Sequence, residues 1–179
     1  DIYTNNIKAF ELYIRIREKE KGSLTEKEWL LSLVNSLEEV LKHDKDFPLI
    51  YRELDQVYLS LGQDGKMNEC LEKTMQLSHK FPEPYQYEIK GRYFIFIEKN
   101  PSKSIKLYEL WIRLQPHNIK AHKELAEAYE RMGDLDKSLE QLLIAASMTP
   151  SDFNILSRIV DIYVTKNNFE DAKKILKDF

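Results

Sequence analysis

The sequence predicts an all-helical solenoid built from paired helices, and three observations carry that expectation. Residues of like character recur every 34 positions: Ser104, Ser138 and Ala172; Tyr108, Leu142 and Leu176; Trp111, Ala145 and Phe179; Pro82, Pro116 and Pro150; Tyr129 and Tyr163. A period of this length marks an array in which each repeat is one supersecondary unit. Glycine (5) and proline (6) are scarce among 179 residues, so chain breaks are few and helices are favoured over many short strands. Within each period the apolar residues step by three and four, the spacing of one helix face.

The elements follow in chain order. Residues Asn6 to about Lys19 make a first helix, broken by the polar stretch Glu20-Lys21-Gly22-Ser23. Thr25 with Glu28 is a capping box, in which each residue satisfies the other's backbone N–H, so a second helix runs from there to about His43. Tyr51, Leu54-Asp55, Tyr58 and Gly62 set out a third helix. About three extra residues are expected in the Gln63-Asp64-Gly65 turn, after which Cys70, Leu77 and Pro82 mark the fourth. In the next unit Gly91 and Phe94 lie on a fifth helix. The run Tyr93-Phe94-Ile95-Phe96-Ile97 has strand propensity, but the periodicity on either side demands a helix buried on several sides. Asn100-Pro101 then supplies a cap and a helix-starting proline, with that unit's turn one residue short.

The clearest unit runs from Asn118 to Pro150. Leu125, Ala126, Tyr129 and Met132 share one face of a helix over Ile119 to Met132. Gly133 provides the permissive backbone of a helix end and Asp134 a cap for the next helix. That helix, Leu135 to Ser147, aligns Ser138, Leu142, Ala145 and Ala146, and Pro150 stops it. Ser151 or Asp152 then caps a last unit with Leu156, Ile159-Val160, Tyr163, Asn167, Ala172, Leu176 and Phe179.

His122, Leu125-Ala126, Tyr129, Gly133, Ser138, Leu142, Ala145 and Pro150 resemble the tetratricopeptide repeat (TPR) pattern. That pattern has a large residue, Leu-Gly, Tyr, a turn Gly, then Ala, an aromatic, Ala and Pro. The resemblance implies a right-handed α-α superhelix of about ten helices in five hairpins. The units fall at 5–47, 48–83, 84–117, 118–152 and 153–179. It also implies that the first helix of each hairpin faces a partner. Carried over place by place, the partner-facing residues are Tyr13, Arg17, Arg52, Gln56, Tyr85, Glu88, Arg92, Lys120, Lys123, Glu127, Ser157 and Asp161. The arginines are suited to carboxylates or phosphates, and the surface is expected to be basic in its first half and more acidic in its last. A TPR subclass that clamps chaperone tails uses Lys and Asn at such places. Arg52/Gln56, Glu88/Arg92 and Lys123/Glu127 lack the asparagines, so that ligand is not expected.

A second resemblance covers about fifteen residues. Thr4 to Tyr13, ending in Arg17, is similar to the start of TPR arrays that follow bacterial effector domains such as nucleotide cyclases, winged-helix regulators and Ser/Thr kinases. With Asp1 rather than Met at the start, the chain reads as a piece of a longer protein.

Chemistry that needs converging groups is missing from the pattern. Gly62 and Gly65 lack the lysine–serine/threonine pair of a phosphate loop, and His43, His79, His117 and His122 show no metal spacing. Cys70 is the single cysteine, in a small-residue place, and reads as a buried thiol compatible with a reducing compartment. A net charge of -3 offers no general attraction for nucleic acid or anionic lipid, and no apolar run is long enough to span a bilayer. The expectation is therefore a cytoplasmic, non-enzymatic scaffold that takes a protein or peptide partner and uses no cofactor or metal. The alternative is a self-assembly module, associating through the C-terminal helix, or a sensor module of a larger bacterial regulator whose catalytic or DNA-binding domain lies upstream.

Overall fold

The structure, a computed structural model, describes residues 3–177. These form ten α-helices and one 3-10 turn: α1 (Ile7–Glu18), α2 (Glu26–His43), α3 (Pro48–Ser60), α4 (Asp64–Gln76), the turn Ser78–Lys80, α5 (Glu83–Phe96), α6 (Pro101–Leu114), α7 (Ile119–Met132), α8 (Leu135–Met148), α9 (Phe153–Thr165) and α10 (Phe169–Lys177). No strand occurs among the described residues. The chain divides after Ile89 into two compact units. The residues of each show the predicted helix-hairpin repeat.

In the first unit α1 pairs with α2 and α3 with α4, while α2 and α3 pack between hairpins. The Asn6 side chain caps α1 by accepting the Ala9 N–H at 3.0 Å. The capping box is present: Glu28 takes the Thr25 N–H at 2.9 Å and Thr25 Oγ1 takes the Glu28 N–H at 3.3 Å. The hydrogen bonds from Thr25 hold the Glu28 carboxyl below its ordinary range. Phe47, fully buried, precedes Pro48, which opens α3 at a place where its missing N–H is not needed. Its ring meets Tyr13 edge-on at 5.5 Å.

One expectation here is corrected. The extra residues of this unit do not lengthen the turn at Gln63-Asp64-Gly65, because Asp64 and Gly65 already belong to α4. Gly62, at φ +68°, reverses the chain alone, and the Gln63 N–H returns to Tyr58 O at 2.9 Å. The helix restarts at once, placing Met67, Leu71 and Thr74 inward, each almost wholly buried. The surplus lies after α4, as the 3-10 turn that carries the chain to buried Phe81. Cys70 and Leu77 remain buried at the flank of this core.

In the second unit the strand-like run ends in a helix, as the periodicity requires, with Ile95 and Phe96 buried. Asn100 accepts the Lys103 N–H at 3.3 Å and Pro101 starts α6. Ser104, Ser138 and Ala172, the small residues of one 34-residue set, are all buried, which lets paired helices approach closely. Ser104 Oγ donates to Gly91 O at 2.8 Å, fastening α6 to α5. Gly133 closes α7 at φ +80°, and Asp134 caps α8 by accepting the Lys137 N–H at 3.2 Å. α9 packs on α8 through a cluster of Ala126, Leu142, Ala145, Ile155, Leu156, Ile159 and Ile162. Each large aliphatic side chain buried there contributes about 2 kcal/mol. Phe179, the last member of its repeat set, lies outside the described residues.

Candidate partner-binding surfaces

The first helices of the hairpins position the candidate residues, and the structure sorts these into two kinds. In the first unit Tyr13 is buried and donates its phenolic hydrogen to Glu53 Oε1 at 2.7 Å. Burial raises the Tyr13 pKa, and the Glu53 carboxylate adds to the effect. Arg17 Nη1 stands 3.7 Å from the same carboxylate oxygen but stays largely in solvent. Arg52 reaches Glu88, donating from one nitrogen to both carboxylate oxygens at 3.1 Å. Its guanidinium also lies 5.0 Å from the ring centre of Tyr85. Glu88 is 2% exposed, so the carboxylate that the Arg52 guanidinium holds is the protein's own rather than a ligand's. Gln56 and Tyr85 are exposed.

In the second unit Arg92 is buried, its guanidinium 5.2 Å from the Phe96 ring, with that of Arg131 4.7 Å from the same ring. Lys123 Nζ meets Asp152 Oδ2 at 3.3 Å, while the other oxygen of Asp152 caps α9 through the N–H groups of Asn154 and Ile155. Glu127 pairs with Arg131 at 3.3 Å along its own helix. Lys120 and Ser157 are half-exposed and Asp161 exposed. Ser157 and Asp161 border a cleft of about 200 Å³ whose remaining walls are Phe153, Leu156, Val160, Ile175 and Leu176.

Two residues that the sequence reading did not single out organise these surfaces. Glu53 gathers Tyr13 and Arg17, and Glu130 accepts from both Ser138 Oγ and Arg158, each at 2.9 Å. Glu53 reaches Tyr13 40 residues away, and Glu130 reaches Ser138 and Arg158, 8 and 28 residues away, all on neighbouring helices, so spacing along one helix carries no trace of them. A repeated tie lies beside them. Tyr58 donates to Glu38 at 2.6 Å and Tyr129 to Glu109 at 3.1 Å, in each case 20 residues back. Lys66 and Lys137, eight residues on, lie over the two rings.

Buried His122 is held by its two ring nitrogens, 2.9 Å from Gln141 Oε1 and 3.0 Å from Pro116 O. Burial, with Asp55 adding, pushes the Cys70 thiol up to about 12. No group of three or more His, Cys, Asp or Glu fit to hold a metal occurs among the described residues, nor any helix long and apolar enough to cross a membrane.

Comparison with solved structures supports the fold. The chain is similar to PilW, a type IV pilus biogenesis factor, with 14% identity over 96% of this chain and 76% of that one, at a TM-score of 0.68. It is similar to MamA from Desulfovibrio magneticus RS-1, with 16% identity over 98% and 94% of the two chains and a TM-score of 0.59. Another MamA structure is 23% identical over 84% and 86%, with a TM-score of 0.50. No protein-family profile and no curated protein matches the sequence. The chain thus has the fold of a TPR-type helical repeat.

Proposed function

We propose that this chain is a protein-interaction scaffold that binds a peptide or partner domain through exposed side chains of its first helices. In the first unit these are Arg17, Gln56 and Tyr85; in the second they are Lys120, Lys123, Glu127, Ser157 and Asp161. One observation supports the reading most. Of the twelve side chains in partner-facing places, Tyr13, Arg52, Glu88 and Arg92 are buried or mostly buried, while the other eight, some of them paired within the protein, keep more exposed surface. The inward group stiffens the helices that carry the outward group, and a rigid array loses little entropy when an extended ligand is laid along it. An effector domain preceding the chain would make this binding the docking or sensing arm of a larger bacterial regulator.

The test is capture of partners by the full chain, followed by affinity measurement for the partner identified. Replacing Arg17, Gln56 and Tyr85 together with alanine is expected to weaken binding at least about tenfold without lowering the melting temperature appreciably. Unchanged affinity in that variant and in a Lys123→Ala/Glu127→Ala variant would sink the proposal.

A further inference from the structure

In the turns α3–α4, α7–α8 and α9–α10 a residue with positive φ stands immediately before the cap of the second helix. Gly62 precedes Gln63, Gly133 precedes Asp134 and Asn167 precedes Asn168, and both glycine and asparagine adopt this backbone readily. In the turn between α5 and α6 the place belongs to Lys99, at φ +53°, just before Asn100. A lysine there bears the contact between Cβ and carbonyl oxygen that glycine avoids.

Lys99 lines a cleft of about 230 Å³ together with Ile95, Phe96, Pro101 and Arg131. Ile95 and Phe96 are buried and give the cleft an apolar wall. The Arg131 guanidinium lies 4.7 Å from the Phe96 ring centre, which holds a second cation against that wall. Its partner Glu127 is 3.3 Å away, but the arginine is 47% exposed, and so open a pair is weak. Glu98, beside Lys99 in the chain, is taken by Lys103. Among the described residues no carboxylate pairs with Lys99. The cleft therefore has two cations and one weakly held counter-charge. One repeat on, Gly133 and Thr165 take the places of Lys99 and Arg131, and neither cation recurs.

We propose that this cleft binds an acidic side chain of a partner peptide, a glutamate whose stem lies against Phe96 and whose carboxylate is held by Lys99 and Arg131. The strain at Lys99 then accompanies a function, a cation placed where the turn favours glycine. The site deepens the scaffold function and rests on it, since it names the charge that the partner carries.

The probe is a short fluorescent peptide of alternating glutamate and leucine, capped at both ends, titrated into the full chain and followed by anisotropy. Saturable binding is expected, at least about tenfold weaker when glutamine replaces glutamate, and weakened by added salt. Lys99→Gly should raise the melting temperature by relieving the backbone, yet weaken the glutamate peptide about tenfold. Lys99→Arg should keep the binding without the gain in stability. Affinity lost in a variant more stable than the wild type has no explanation in damaged folding. Binding should survive the Arg17/Gln56/Tyr85 alanine variant, which separates failure here from failure of the first-helix surface. Absence of saturable binding overturns the proposal, and so does binding that Lys99→Gly and Arg131→Gln both leave unchanged. So does a glutamine peptide that binds as tightly. A phosphoserine version at least about tenfold tighter assigns the cleft to a phosphate group instead, which overturns it too.

Discussion

Gly91 lies directly beneath the ring of Tyr108. A Cβ built at residue 91 would come within 2.1 Å of the ring Cζ and 2.2 Å of the hydroxyl oxygen. The two places trade volume through the later units, with Ala126 and Leu142 and then Val160 and Leu176 in the corresponding positions. Where the second helix carries the large ring, the first gives up its side chain entirely.

Gly91→Ala should therefore destabilise the protein by about 3 kcal/mol, the upper range of overpacking penalties, because Tyr108 is fully buried and cannot swing aside. Adding Tyr108→Leu should recover part of the loss by restoring the Ala–Leu pairing of the next unit. Urea unfolding of the two variants measures both effects. A single variant as stable as the wild type would contradict the contact.

Alkaline pH should destabilise the fold through its tyrosines. Burial raises the pKa of Tyr58 and Tyr129, and the carboxylates of Glu38 and Glu109 that accept their hydrogen bonds raise it further. Their phenols ionise later in the folded chain than in the unfolded one, where 10.0 is the ordinary value. The stabilisation is thus complete below pH 10 and lost as pH rises through the folded values, by at most about 1.4 kcal/mol per pH unit for each ring. Tyr58→Phe and Tyr129→Phe should each reduce that slope and cost about 1 kcal/mol at neutral pH. Denaturation midpoints across the alkaline range decide the matter.

Arg52 and Glu88 should show strong coupling in a double-mutant cycle. Glu88 is almost wholly buried and Arg52 mostly so, and removing the arginine takes a cation from a desolvated carboxylate. Arg52→Met should cost about 3 kcal/mol, and Arg52→Met with Glu88→Gln less than the sum of the single changes. Strict additivity would mean that the pair does not contribute as a pair.

Cys70 should be nearly inert to thiol reagents in the native state. With its thiol pushed up to about 12, only about one molecule in ten thousand carries the thiolate at pH 8. Modification should become fast once urea unfolds the chain. Native-state labelling at the rate of a free thiol would contradict the buried placement.

Local features of the fold were legible in the residues themselves. The Thr25–Glu28 box, the Asn100-Pro101 start and the Gly133-Asp134 turn act within a few positions of each other, so their spacing predicts their geometry. The place of the extra residues after Gly62 differs from the expectation because an insertion can lie at either end of a helix without changing the residues that flank it, and only the inward face of Met67, Leu71 and Thr74 decides between them. The candidate residues follow from the repeat only as places on the first helices, and the spacing does not say which of them are exposed. Nothing near Arg52 announces a carboxylate 36 residues away, and nothing near Tyr13 announces one 40 away.

By itself the sequence determined the repeat, the caps of α1, α2, α6 and α8, and, α4 apart, the face that helices bury against their hairpin partners. These depend on backbone propensity and apolar periodicity, which operate within about one turn. Only the tertiary structure decided which charges are internal, as with Arg52, Glu88 and Arg92, and which apolar groups stay in solvent, as with Leu176. Burial at those places depends on the presence and side chains of the next helix in the stack. That neighbour lies a whole repeat away along the chain, beyond the reach of any local pattern.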